Sequence, residues 1–388
     1  MKSNYEPLGK HIRLVDYRNS EEVTSTVLGI SIDKEFMPSV ANVIGTDLSR
    51  YKLISKGLFA CNPMHVGRDE RLPIALYEKD SPAIVSPAYF MFEIIDRDVL
   101  NEEYLMMWFR RPEFDRECWF MTDGSVRGGI SWDDLCRIKL PVPSYARQCE
   151  IVESYRAITN RIALKRAEND NLEATAMSLY KSWFIDYEPF DLDDEGLPVG
   201  WYKAKLNDKL STSTQSINPQ KMDCDFVWHY SIPAYDNEKL PSKDIPSSIL
   251  SNKYIVPPNA ILVSKLNPDT KRIWRSVPCF ENAICSTEFI VFSAKEPTHR
   301  AFYYLLFNTG SFIDFLVSNA TGSTNSRMRV KPASSLDFEF ICPPNEVIDS
   351  FCRKVEPMLQ KIEENHLEIR KLKELIPIAV AKMMSSSR

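Results

Sequence analysis

Hydrophobic positions recur at helical spacing in two stretches of the chain that lie 200 residues apart. Within each stretch, successive positions are three or four residues apart, with one step of ten that is a sum of threes and fours. This spacing is typical of heptad helices that bury one apolar stripe against a partner helix. The two sets correspond without a gap: Ile151, Tyr155, Ile158, Ile162, Leu172, Ala176, Leu179 and Trp183, then Phe351, Val355, Met358, Ile362, Leu372, Ile376, Ala379 and Met383. The pattern predicts two coiled-coil helices in a duplicated chain.

Each helical stretch follows a segment of short apolar runs broken by proline and glycine, which predicts short strands with one or two helices. The two segments align in their apolar runs, since Ser86-Pro-Ala-Tyr-Phe-Met-Phe92 and Ser286-Thr-Glu-Phe-Ile-Val-Phe292 are again 200 residues apart. The predicted fold class is α+β. We expect two α/β domains that alternate with two long helices, an antiparallel coiled coil formed by those helices, and a pseudo-two-fold internal repeat.

Prolines and an acidic connector mark the expected boundaries. Pro141 and Pro143 end the last strand of the first segment, and an acidic stretch with proline and glycine separates the two halves. The predicted parts are a first globular domain at 1–145, a first helix at 146–187, a linker at 188–200, a second globular domain at 201–344 and a second helix at 345–388.

Two asparagines in the seams suggest a register for the helix pair. If the seam ends are matched, Trp183 lies against Phe351 and Asn169 falls opposite Asn365. A buried asparagine layer fixes the register of a coiled coil at a cost in stability. The alternative is that both asparagines are exposed where the helices splay. Pro377 is expected to end or kink the second helix, because proline lacks the amide hydrogen that the helix needs.

Charge and cysteine content limit the possible functions. The chain has 48 Lys and Arg against 53 Asp and Glu, a net charge of −5. This argues against a broad, nonspecific nucleic-acid binder but allows a DNA binder whose positive charge is confined to loops. The nine cysteines never form Cys-x-x-Cys, so we expect free thiols in a reducing cytoplasm and no metal. There is no apolar stretch of ~18 residues and no signal-like start, which predicts a cytoplasmic protein without a membrane segment.

Catalytic motifs are missing from the sequence. The chain has no GxxxxGK[ST] phosphate loop. It also lacks the Asn/Asp-Pro-Pro-aromatic motif of an adenine methyltransferase, since Val256-Pro-Pro-Asn259 has these parts in the wrong order. We therefore predict a non-catalytic chain without a cofactor, which recognises another molecule or acts as a scaffold.

Four polar and basic loops occur at corresponding places in the two repeats, at 61–71, 122–131, 264–275 and 321–331. Reading of DNA bases needs polar side chains on loops that reach base edges, with further basic groups on phosphates. The alternative is that these loops are ordinary solvated turns. The candidate DNA-binding residues are Asn62, His65, Arg68, Ser125, Arg127, Lys265, Asn267, Lys271, Arg272, Arg275, Thr324, Asn325, Arg327 and Arg329.

With this organisation, the chain resembles the specificity (S) subunits of type I restriction-modification systems. The strings that carry the resemblance are Pro143-Ser-Tyr-Ala-Arg-Gln148, Ser182-Trp-Phe-Ile-Asp-Tyr-Glu-Pro-Phe190 and Gly196-Leu-Pro-Val-Gly-Trp-Tyr202. The second helix departs from the pattern, because Pro344-Asn-Glu-Val347 lacks the usual glutamine after the prolines.

The resemblance implies a non-catalytic subunit of an adenine-N6 methyltransferase/endonuclease complex. Each globular domain would be a target-recognition domain that reads one part of a split site on double-stranded DNA. The coiled coil would set the gap and dock two methyltransferase (M) subunits, with restriction (R) subunits joining through the complex. The alternative is a two-headed coiled-coil protein scaffold without DNA binding, which the acidic balance slightly favours.

Overall fold

The computed structural model describes residues 5–39, 45–64, 66–122, 128–278, 280–322 and 328–385. Domain 1 comprises the elements before the first long helix, and domain 2 comprises those between the two long helices. The strands of domain 1 are β1 (Tyr5–Pro7), β2 (Ile12–Leu14), β3 (Val27–Ile30), β4 (Phe36–Pro38), β5 (Lys52–Ile54), β6 (Phe59–Cys61), β7 (Ile74–Leu76), β8 (Ala83–Val85), β9 (Phe90–Ile94) and β10 (Lys139–Pro141). The strands of domain 2 are β11 (Tyr202–Lys205), β12 (Leu210–Ser213), β13 (Ser216–Ile217), β14 (Val227–Tyr230), β15 (Ser242–Asp244), β16 (Lys253–Ile255), β17 (Ile261–Ser264), β18 (Ile273–Arg275), β19 (Ala283–Cys285), β20 (Phe289–Ala294) and β21 (Glu339–Cys342).

Short α-helices lie within each domain, and a long helix follows each domain. They are α1 (Val66–Asp69), α2 (Glu102–Phe109), α3 (Pro112–Phe120), α4 (Trp132–Arg137), α5 (Tyr145–Phe184), α6 (Leu206–Lys209), α7 (Ile232–Glu238), α8 (Arg300–Phe307), α9 (Gly310–Ser318), α10 (Pro332–Ser335) and α11 (Asn345–Ser385). Three α-helices of each domain correspond, α2, α3 and α4 with α8, α9 and α10, whereas α1, α6 and α7 have no α-helical counterpart among the described residues.

The two domains have the same sheet topology. Domain 1 has sheets β2-β9-β6-β7 and β4-β3-β8-β5, and domain 2 has the matching sheets β12-β20-β17-β18 and β15-β14-β19-β16. In both domains the second sheet contains one parallel pair, β3 with β8 and β14 with β19. A two-stranded ladder closes each domain just before its long helix, β1 with β10 and β11 with β21. Domain 2 adds β13 at an edge. The predicted α+β internal repeat is confirmed.

Each core is built on the strands that the apolar runs predict. In domain 1, Phe59 of β6 stacks on Phe92 of β9 with ring centroids 5.1 Å apart, and Phe109 of α2 meets Phe92 edge-on. In domain 2, Phe292 of β20 packs against Phe307 of α8 at 4.8 Å. Burial of such aromatic side chains dominates the stability of small domains. The helices after β9 and β20 therefore cover equivalent faces of equivalent sheets.

The long helices α5 and α11 were expected at 146–187 and 345–388, and they span Tyr145–Phe184 and Asn345–Ser385. Pro377 was expected to end or kink the second helix, and α11 does not end there, since it continues to Ser385. Contacts divide the chain into two compact units, 1–161 with 372–388, and 162–371. Each unit therefore contains part of both helices.

The two helices run antiparallel within the unit 162–371. Trp183 of α5 packs against Phe351 of α11 with ring centroids 5.6 Å apart. Further back along α5, Asn169 Oδ1 accepts a hydrogen bond from Asn365 Nδ2 at 2.8 Å. Residue numbers thus fall along α11 as they rise along α5, in the register obtained by matching the seam ends. Both asparagines are buried.

Candidate nucleic-acid interface

Domain 1 brings its two candidate loops together through backbone hydrogen bonds. The amide of Ile130 donates to the carbonyl of Pro63 at 3.1 Å, and that of Gly67 donates to Gly128 at 3.0 Å. A Cβ atom at Gly129 would lie 2.9 Å from the Pro63 carbonyl oxygen, so the close approach requires glycine. We name residues 61–71 and 122–131 candidate face 1, of which 65 and 123–127 lie outside the described residues.

Domain 2 brings its loops together in the same way. The amide of Val330 donates to the carbonyl of Lys265 at 3.0 Å, which matches the bond from Ile130 to Pro63. The amide of Asn267 donates to Met328 at 2.8 Å, and Thr321 and Arg329 exchange backbone hydrogen bonds. We name residues 264–275 and 321–331 candidate face 2, of which 323–327 lie outside the described residues. The sequence placed these four loops at corresponding positions, and the fold joins them into one face per domain.

On candidate face 1, the described polar side chains are partly engaged within the protein. Asn62 Oδ1 accepts a hydrogen bond from the amide of Met64 at 3.1 Å, an Asx turn that shapes the loop. Arg68 is 57% exposed and forms a bidentate pair with Asp69, which raises the pKa of Arg68. The remaining candidates, His65, Ser125 and Arg127, lie outside the described residues.

On candidate face 2, the described polar side chains are also partly engaged within the protein. Asn267 adopts a left-handed backbone conformation (φ 47°), and its Oδ1 accepts a hydrogen bond from the amide of Met328. The exposed Lys271 donates to the Asn308 carbonyl at 3.2 Å. Arg329 is 47% exposed and forms a bidentate pair with Glu288. Lys265 is half-buried at the end of β17. The last three candidates, Thr324, Asn325 and Arg327, lie outside the described residues.

Arg272 and Arg275 have partners inside the protein. Arg272 is 15% exposed and forms a bidentate pair with Asp236 of α7, at 2.6 and 2.8 Å. Arg275 is 5% exposed, and its guanidinium lies 2.5 Å from Glu356 and 3.0 Å from Glu363 of α11. These geometries hold domain 2 together and attach it to α11. We therefore leave Arg275 out of the DNA-contacting residues proposed below.

The sequence reasoning missed the charged cluster that Arg275 belongs to. Arg300 at the start of α8 is buried and lies 3.9 Å from Glu363. Burial, and then the neighbouring Arg275, lower the pKa of Arg300 to about 10. Burial also raises the pKa of Glu363. The available signal was the spacing of Glu356 and Glu363, which are seven residues apart and therefore share one face of a heptad helix.

In domain 1, the side chain of Gln148 attaches the domain to its long helix, as Arg275 does in domain 2. Its side chain is fully buried and donates from Nε2 to the carbonyls of Val99 and Pro143, at 2.9 and 2.8 Å. Its Oε1 accepts a hydrogen bond from the amide of Asn101 at 2.9 Å. The side-chain amide of Gln148 therefore ties the start of α5 to the turn before α2. Gln148 is the last residue of the string Pro143–Gln148 noted in the sequence.

The two faces offer hydrogen-bond donors, acceptors and positive charge, which are the groups that contact base edges and phosphates. Within the described ranges there is no group of three or more His, Cys, Asp or Glu side chains that could hold a metal ion. With its donors, acceptors and positive charges, each face is suited to bind a polar or anionic partner.

Comparison with known proteins gives two curated relatives. The chain is 23% identical over 317 residues to the MjaIX specificity subunit of Methanocaldococcus jannaschii, covering 75% of this chain and 70% of the relative. It is 20% identical over 452 residues to the HindI specificity subunit of Haemophilus influenzae, covering 96% of both chains. Both are specificity subunits of type I restriction enzymes. No protein-family model matches the chain.

Among solved structures, the type I restriction-modification S subunit of M. genitalium superposes with a TM-score of 0.58 at 12% identity. The alignment covers 98% of this chain and 95% of that one. This chain resembles a type I specificity subunit. The likeness in sequence and fold extends over both domains and both long helices.

The alignment with the M. genitalium S subunit covers the two similar domains and the two long helices of this chain. In the part of the chain that the structure describes, none of the helices is long and apolar enough to cross a membrane.

Proposed function

We propose that the chain is the DNA-recognition subunit of a type I restriction-modification complex and that it reads a bipartite target. The observation that carries the proposal is the repeated pairing of loops. In each domain, the loop after β6 or β17 is hydrogen-bonded to the loop before α4 or α10. A chain with two equivalent polar faces suits a target with two separate parts. Candidate face 1 would read one part and candidate face 2 the other.

The residues proposed for DNA contact remain those of the two faces other than Arg275. The ion pairs of Arg68 and Arg329 need not prevent binding, because both side chains are about half exposed. Rotation away from Asp69 or Glu288 would free each guanidinium for a phosphate or a guanine. Exposed ion pairs of this kind contribute little stability, so their loss would be offset by the new contact.

The long helices are proposed to dock two methyltransferase (M) subunits and to set the gap between the parts of the target. Large apolar side chains on these helices are exposed, including Leu164 at 70%, Leu375 at 51% and Ile378 at 63%. Leu375 and Ile378 are three residues apart and therefore neighbours on the surface of α11, and an exposed apolar patch of this kind suits protein docking. The M subunits would supply S-adenosylmethionine and adenine-N6 methylation, and restriction (R) subunits would join through the complex. The complex would act in the cytoplasm.

The test is genome-wide mapping of N6-methyladenine in a host that expresses this chain with and without its companion M subunit. The proposal predicts a split motif that appears only when both proteins are present. A confirmed active methyltransferase that produces no new motif with this chain would contradict the proposal and favour the protein scaffold.

A further inference from the structure

Helix α3 ends on two exposed aromatic side chains beside candidate face 1. Trp119 is 45% exposed and Phe120 is 85% exposed. Thr122, the first residue of the loop 122–131, donates from its hydroxyl to the Trp119 carbonyl at 2.8 Å, which ties this end of the loop to the last turn of α3. Exposed apolar side chains are common when they occur singly, but adjacent large aromatics next to a polar binding loop form an apolar patch. Because both rings are exposed, packing of the domain 1 core does not explain why they are aromatic.

A buried ion pair holds α3 rigidly against the other loop of candidate face 1. Asp115 of α3 accepts hydrogen bonds from Lys34 Nζ at 2.6 Å and from the amide of Leu72 at 3.1 Å. Lys34 also donates to the Leu72 carbonyl at 3.2 Å. The Lys34 and Asp115 side chains are only 5% and 11% exposed. Because Leu72 directly follows the loop 61–71, the end of α3 has a fixed position relative to that loop.

Positive charge lies on the same face of α3 as the aromatic rings. Arg116 is 72% exposed and precedes Phe120 by four residues, so the two side chains are neighbours on the helix surface. Its guanidinium lies 3.4 Å from Glu113, a surface pair that costs little to open. On duplex DNA, an exposed aromatic ring can contact a thymine methyl group or enter between two base pairs, while an arginine meets a phosphate.

Domain 2 lacks this patch at the equivalent place. Helices α3 and α9 correspond through their buried positions, Phe114 with Phe312 and Cys118 with Leu316. On α9 the positions equivalent to Arg116, Trp119 and Phe120 are therefore Asp314, Val317 and Ser318. The aromatic and basic patch is thus a feature of domain 1 alone and is not required by the shared fold.

We infer that Arg116, Trp119 and Phe120 form an apolar DNA-contact patch, in which Phe120 packs on the nucleotides of the half-target read by domain 1. The inference rests on the proposed function and deepens it. Phe120 would contribute apolar contact without neutralising charge, whereas Arg116 would neutralise a phosphate. The two side chains therefore differ in how their contributions depend on salt.

The test measures the affinity of the complex of this chain with its M subunits for a duplex that carries the mapped motif, at several salt concentrations. Phe120→Ala is expected to weaken binding by roughly 10-fold, because the apolar area that the ring buries against the duplex is lost. The slope of log affinity against log salt should stay unchanged. Arg116→Ala should reduce that slope by about one. Phe120→Tyr should retain most of the affinity.

The matched control is Leu250→Ala, which removes an apolar side chain of domain 2 that is 87% exposed. It should change neither affinity nor slope. An unchanged affinity of the Phe120→Ala complex would overturn the inference. Failure of Phe120→Ala to assemble with the M subunits would also overturn it, since the patch would then be a protein-docking surface. A wild-type complex without sequence-selective binding would instead contradict the proposed function itself.

Discussion

Domain 1 and domain 2 share one topology but meet their long helices through different chemistry. At the start of α5, the neutral amide of Gln148 makes three hydrogen bonds to the backbone of domain 1. The residue 200 positions later is Ile348, which is fully buried in the core of domain 2. Polar attachment of domain 2 comes instead from charges, with Arg275 paired to Glu356 and Glu363 further along α11.

The two repeats therefore join each domain to its long helix in the same order along the chain but through different interactions. A satisfied amide is inexpensive to bury, whereas buried charges carry a large desolvation cost that only well-placed partners offset. Loss of one partner should therefore destabilise domain 2 more than loss of the amide destabilises domain 1.

The candidate faces differ in a parallel way. Beside candidate face 1 lie the exposed rings of Trp119 and Phe120, and the equivalent part of domain 2 carries Val317 and Ser318. Shared cores with divergent surfaces are expected when each surface recognises a different partner structure. The proposal accordingly assigns more apolar contact to domain 1 and more polar contact to domain 2.

The largest effect is expected for Glu363→Ala, which removes one of two carboxylates that face Arg275 and Arg300. It should lower the free energy of unfolding of domain 2 by about 3 kcal/mol, because buried cations lose a partner. Urea unfolding measures the change. The control is Glu364→Ala, whose carboxylate is 68% exposed and pairs with Lys361, and it should cost about 0.5 kcal/mol or less. Equal losses for both variants would refute the importance of the buried cluster.

Gln148→Ala should have the next largest effect and should act on domain 1. The substitution leaves the Asn101 amide and two carbonyls without their partner, which we expect to cost about 2 kcal/mol. Arg147→Ala is the control, because Arg147 makes only a surface pair with Glu150. If Gln148→Ala were no more harmful than Arg147→Ala in urea unfolding, the amide would not be the attachment point of domain 1.

A third test concerns the helix pair itself. Asn169→Leu should cost about 1–3 kcal/mol, because the buried Asn365 loses one of its two hydrogen-bond partners and keeps Glu168 alone. The double variant Asn169→Leu with Asn365→Leu should recover most of this loss, since two apolar groups replace a buried polar pair. Melting temperatures of the single and double variants measure the coupling. Additive losses in the double variant would mean that the asparagines do not act as a pair.

The smallest effect is a pH dependence in domain 2. His229 Nδ1 lies 2.8 Å from Asp244 Oδ2, yet burial lowers the pKa of His229 below its usual 6.5. The unfolded chain then binds the proton more readily, so the stability contribution is present above pH 6.5 and is lost as pH falls through the lowered pKa. His229→Gln should reduce the decline in melting temperature over that range. Parallel curves for wild type and variant would exclude this role for His229.

The sequence predicted the parts of the fold that depend on periodic patterns. The heptad spacing gave both long helices, and matching the seam ends gave the register in which Trp183 meets Phe351 and Asn169 meets Asn365. These features follow from local repetition and could be read without knowledge of distant contacts.

Ion pairs between residues that lie far apart in the sequence could not be predicted. In the sequence, Arg275 resembles a basic loop residue. In the fold, its guanidinium is buried and pairs with Glu356, which is 81 residues away. Lys34 is another example, because it lies in a turn with positive φ (66°) and pairs with Asp115 in the interior. Such pairs depend on tertiary packing, which a single sequence does not reveal. Trp119 and Phe120 likewise resemble core residues in the sequence, yet both are exposed in the structure.

The most direct test of the central claim is to map N6-methyladenine in a host that carries the M subunit and a chain altered only on candidate face 2. The double variant Lys271→Ala with Arg329→Ala changes two side chains of that face. If each domain reads one part of a split target, one half of the methylated motif should lose definition while the other half and the gap stay the same. Simultaneous change of both halves, or a motif without a gap, would contradict the account.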